Sequence, residues 1–91
     1  MICKMHGYWN DNSLPDGKYH APEVTVRDSD AVGLMRSWYD ANISTDGLGI
    51  KIETTENTMF TDKDWTLIYE GPLNEVVIMG LACKLKGVAF V

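Results

Sequence analysis

Four residues with metal-ligand chemistry are Cys3, His6, His20 and Cys83, and the first two stand as Cys-x-x-His. Thiolate and imidazole at that spacing hold zinc in many small sites. Residues three apart on a strand point to opposite faces, however, so Cys3 and His6 read as a buried thiol and a surface imidazole. A second pattern runs from Asn42 to Glu53, "NISTDGLGIKIE". Asn42, Ser44, Asp46, Gly47 and Glu53 match positions 1, 3, 5, 6 and 12 of a calcium-loop spacing. Asn replaces the leading Asp, Gly49 stands where an aliphatic is usual, and the alternation after it suits a strand rather than the helix such a loop needs. A polar helix-to-strand loop explains the stretch better, and folding is expected to need no divalent metal. Asp62-x-Asp64 would place two carboxylates on one side of an extended segment, as Mg²⁺ sites require. In "TDKDW" the pair reads as a solvated turn, and Asp28-x-Asp30 reads as helix capping.

Catalytic patterns are missing. The sequence contains no Gly-x-Ser-x-Gly, no phosphate loop and no Gly-rich dinucleotide fingerprint. Two His without a matched nucleophile motif do not make a catalytic set. The expectation is a chain with no catalytic residue, no metal and no cofactor; a metal-dependent enzyme using Asp62, Asp64 or His6 is a second alternative.

The elements that must position any site follow from pattern. Ninety-one residues at 45 % hydrophobic content, with three Trp and four Tyr, make one domain, 1–91, able to build a core without disulfides. Two distant cysteines do not form a disulfide framework and read as reduced thiols, with Cys83 expected in the core. "LPDGKY" is a hairpin turn, since Pro15 presets φ and Gly17 accepts positive φ. It joins a strand near Ile2–Trp9 to one starting near Lys18. Pro22 forces a bulge or an edge, and "EVTVRD" then alternates. "RDSDAVGLMRSWYDAN" is a helix with Ala31, Leu34, Met35 and Trp38 on one face. Asp28, Ser29 and Asp30 are its candidate caps. "GIKIETTEN" and "DWTLIYEG" are strands.

The charge-free run Val76–Cys83 starts like a strand, with Val-Val-Ile. Pro72 before it, Gly87 after it, and Lys84 and Lys86 near its end favour a helix over Pro72–Lys86. "GVAFV" closes the chain as a strand. From Glu23 onward the order is strand, helix, strand, strand, helix, strand. The expected fold is α+β, a ferredoxin-like βαββαβ with an added N-terminal strand or hairpin and two helices over one antiparallel sheet. Gly33 and Gly80, mid-helix, suggest a close helix crossing. The last helix is apolar on two sides, so the other helix or a second subunit should cover the side that the sheet does not.

Charge sets the expected partners. The net charge is −5, and residues 28–75 hold ten acids against Arg36, Lys51 and Lys63. That balance disfavours direct nucleic-acid binding and favours a basic protein surface. No apolar run reaches the ~18 residues of a membrane span, and "MICKMHGYW" lacks a signal-peptide pattern, so the expected location is the cytoplasm. Tyr39, Asp40, Asp46, Glu53 and Glu56 are the expected contact residues, and the four acids among them are close enough to form one face. In size and character, though not in motif, the chain resembles phage-encoded inhibitors of host machinery, including anti-CRISPR proteins. That resemblance implies a small non-enzymatic protein that occupies a nucleic-acid-handling surface of a larger partner in the host cytoplasm. A homodimeric ligand-binding module is the alternative.

Overall fold

The computed structural model describes residues 1–42, 47–56 and 65–86. Within them the chain forms β1 (Ile2–Asn10), β2 (Lys18–His20), β3 (Val24–Arg27), α1 (Asp28–Ala41), β4 (Gly49–Thr55), β5 (Thr66–Pro72) and α2 (Glu75–Lys86). It is a small α+β domain with an antiparallel five-stranded sheet and two helices. The closing strand expected at "GVAFV" lies outside the described residues.

The sheet is organised around β1. One edge of β1 pairs with β2 through Tyr8–Asn10 and with β3 through Ile2–Met5. Its other edge pairs with β4 over Ile2–Tyr8, and β4 then pairs with β5. The N-terminal strand is therefore central rather than an addition at the margin. Cys3, Met5 and Gly7, on the face that the helices cover, are all buried. The hairpin loop 11–17 is closed by Asp11 N–H donating to the Gly17 carbonyl at 2.9 Å and by Gly17 at φ 71°. The second arm breaks at Ala21–Glu23, around Pro22, and resumes as β3.

Alternation decides the two faces of the sheet. Cys3 and Met5 of β1 and Ile50 and Ile52 of β4 face the helices, where they meet Ala31 and Met35 of α1 and Ile78, Leu81 and Leu85 of α2. Trp38 lies flat against Gly7, where any Cβ would come within 3.1 Å of its ring. The residues of opposite parity, Lys4, His6 and Tyr8 on β1 with Lys51 and Glu53 on β4, line the face that the helices leave open.

Local details differ from expectation at three points. Arg27 is the N-cap of α1 and makes no side-chain cap bond, while Asp28 Oδ1 accepts from the Ser29 N–H at 3.0 Å. Pro72 ends β5 instead of starting α2; the cap is Asn74, whose Oδ1 accepts from the Val77 N–H at 3.0 Å. Gly33 and Gly80 do not sit at a helix crossing, since a Cβ on either would meet nothing within 4 Å. The helices are instead tied by Arg36 on α1, whose Nη1 donates to Glu75 Oε1 at 3.0 Å. The outer side of α2 is apolar and exposed: Val76 is 79 % and Met79 49 % accessible.

Candidate functional site

The open face of the sheet gathers the chemistry that the sequence scatters. The hairpin register sets Tyr8 opposite His20, which brings His20 diagonally next to His6. His6 Nε2 and His20 Nδ1 are 3.2 Å apart, with ring centroids at 5.3 Å and planes 20° from parallel. One imidazole therefore donates an N–H to a lone pair of the other. The Tyr8 ring borders both, at 6.3 Å from His6 and 6.0 Å from His20. Tyr8 has room to do so because it lies across Gly49, its cross-strand partner on β4, where a side chain would overlap the ring. Burial pushes the Tyr8 hydroxyl above the ordinary phenol range, with the Glu70 carboxylate and Tyr69 adding to it. It stays a neutral donor at physiological pH.

Charge on this face runs against that of the chain. Lys18 Nζ sits 5.2 Å from the Tyr8 ring centre, and Lys4 Nζ sits 4.7 Å from the Trp65 ring centre. Lys51 stands between His6 and Glu70 in register. Lys4 is also 3.8 Å from Glu53. With Arg27, opposite Ile2, the described residues place four bases on this face against two acids, Glu53 and Glu70. Imidazoles, a phenol and ammonium groups on one face of a sheet can bind metal ions or polar groups.

The residues singled out from sequence separate. Cys3 faces the core, on the opposite side of β1 from His6, and Cys83 is on α2, so the Cys-x-x-His set does not assemble. Cys83 is half-buried rather than in the core, because the buried side of α2 is set by Ile78, Leu81 and Leu85. The two ends of the calcium-like spacing also part. Asn42 spends its side chain on the end of α1, with Nδ2 donating to the Trp38 carbonyl at 2.9 Å. Glu53 is on a strand and pairs with Lys4. Asp46, Asp62 and Asp64 lie outside the described residues.

Of the five expected contact residues, Asp46 lies outside the described residues, and the four that are described do not share a face. Tyr39 is half-buried against the core, with the Arg36 guanidinium 5.9 Å from its ring. Asp40 is exposed on the helix side of the sheet, whereas Glu53 points to the open side. Glu56 follows Thr55, which pairs with Ile2 near the start of α1, so it sits at the end of the molecule away from Asp40. The reason is the two-residue period of β4, which sends Glu53 away from the helix layer. What the helix layer does offer is the outward stripe of α1, Asp30, Gly33, Ser37 and Asp40, all exposed and without a base among them. Sequence reading assigned Asp30 to capping and so missed this stripe, although its spacing was visible.

The cysteines make a direct test of this placement. Burial, reinforced by Asp28, pushes the Cys3 thiol from 9.0 up to about 11. Native protein should label quickly at Cys83 and at Cys3 only on unfolding, as read by mass spectrometry. A raised thiol pKa stabilises the fold below the unfolded value of 9.0, and that contribution is lost as pH climbs towards about 11. Between those limits the parent should therefore lose stability relative to Cys3→Ala, by about 2–3 kcal/mol. Parallel pH curves would contradict the buried thiol.

Comparison with known proteins yields no match: no family model, no curated protein and no solved structure is similar to this chain.

Proposed function

We propose that the chain is a small non-enzymatic binding protein that covers a basic, nucleic-acid-handling surface of a larger partner, in the manner of phage-encoded inhibitors such as anti-CRISPR proteins. The observation that supports it is the α1 stripe. Asp30 and Asp40 are exposed along one side of a helix, with only Gly33 and Ser37 between them on that side. Such a stripe is smooth and acidic, and the four open-face bases among the described residues are on the other side of the sheet. A basic partner would be steered to the helix layer and kept off the sheet layer. The ferredoxin-like reading goes with this proposal. β3, α1 and β4 form a split β-α-β unit with β1 between its strands, although that middle place is taken by the N-terminal strand.

Affinity capture at low salt, followed by direct binding to the recovered partner, tests the idea. The Asp30→Asn/Asp40→Lys variant keeps a capping-competent side chain at the helix start and should bind about tenfold more weakly. The parent's affinity should fall as salt shortens the Debye length from ~10 Å at 0.1 M. Affinity indifferent to both would refute the acidic stripe.

A second reading, the homodimeric ligand-binding module, is favoured by the exposed Val76 and Met79 on α2. Sedimentation across a concentration series separates it from the first, since a dimer through α2 would gain mass with concentration.

A further inference from the structure

The imidazole pair on the open face is independent of the acidic stripe and carries its own chemistry. We propose that His6 and His20 form an open two-imidazole site for a divalent transition-metal ion such as Zn²⁺. The 3.2 Å between His6 Nε2 and His20 Nδ1 is the bite such an ion needs. With metal–nitrogen bonds of ~2.0–2.1 Å, that separation subtends about 103°, near the tetrahedral value of about 109°. The ion replaces the hydrogen bond between the rings, and each imidazole turns its lone pair off the line joining the two nitrogens. His20 is exposed and His6 half-buried, so both rings have the freedom to do this.

The backbone fixes the pair. His6 lies on the central strand and His20 on the hairpin arm registered to it through Tyr8, Trp9 and Asn10. Tyr8 borders both rings. Among the described residues no third His, Cys, Asp or Glu joins them, so the ion's remaining positions hold water. Lys18 and Lys51 lie nearby and repel a dication, which keeps the site weaker than a closed one. The same two ammonium groups attract an anion, so an anionic group of an incoming molecule can displace the metal-bound water. Nitrogen ligands select transition metals over Mg²⁺ and Ca²⁺.

Titration of the full chain with Zn²⁺, and separately with Mg²⁺, tests the site by calorimetry and by the His ring resonances. Zn²⁺ should saturate at one ion per chain and move the His6 and His20 signals together, while Mg²⁺ moves neither. His6→Ala and His20→Ala should each weaken Zn²⁺ binding by about tenfold or more, and Cys83→Ser should leave it unchanged. His20→Gln, at an exposed position, repeats the result without a change in fold. If either histidine variant binds Zn²⁺ as tightly as the parent, or if binding is lost with Cys83→Ser, the pair is not the site.

Discussion

Ile52→Ala is expected to remove about 3 kcal/mol of folding stability, a large share of the ~5–15 kcal/mol that a domain of this kind possesses. Ile52 is fully buried on β4, opposite Met5 on β1 and Tyr69 on β5. It lies in the layer where Met35 of α1 and Ile78 of α2 meet the sheet. Truncation loses the transfer free energy of the removed carbons and leaves a cavity. Collapse of that cavity is opposed by β1 and β5, which hold β4 by backbone hydrogen bonds on both edges. Leu67→Ala on β5 is the matched control, because Leu67 is 52 % exposed and its loss should cost under about 0.5 kcal/mol. In urea the midpoint should fall sharply for Ile52→Ala and hardly move for Leu67→Ala, with the slope unchanged in both. Equal midpoints for the two variants would mean that the helices do not cover β4.

The same contrast shows what the sequence makes legible. Ile50 and Ile52 announce a half-buried strand by alternation, and Ala31, Leu34, Met35 and Trp38 announce a helix by their spacing, because those periods are properties of the local backbone. The hairpin at Pro15-Asp16-Gly17 is legible for the same reason. Strand order is not local. Nothing in "ICKMHGYWN" says that β1 will be flanked on both edges. The site shows the same limit. His6 and His20 were visible as candidate ligands, but joined to Cys3, which alternation assigns to the other face. Their meeting depends on the register Tyr8 to His20, and that register depends on the hydrogen bonds closing loop 11–17. The acids failed differently. Asp40 and Glu53 are near in sequence, and only the parity of β4 separates them.

Gly49→Val should cost about 2 kcal/mol in the parent and close to nothing in a Tyr8→Ala background. By propensity alone the substitution should help, since Val favours strands and Gly disfavours them by up to ~1 kcal/mol. The neighbour reverses the sign. The Tyr8 ring lies across Gly49, its direct cross-strand partner, and a Cβ there would overlap it. Tyr8 must then swing off the sheet, giving up its packing and its place against His6 and His20; overfilled sites of this kind cost ~1–3 kcal/mol. With Tyr8 already truncated, the valine occupies the vacated surface and its strand preference is recovered. Urea unfolding of the parent, both single variants and the double variant closes the cycle, and a coupling of about 2 kcal/mol in favour of the double variant is expected. The His6 and His20 ring resonances should shift in Gly49→Val and stay put in a Gly33→Ala control, where a Cβ meets nothing within 4 Å. Strict additivity in the cycle would mean that Gly49 serves the backbone rather than Tyr8, and the aromatic border of the imidazole pair would then need another cause.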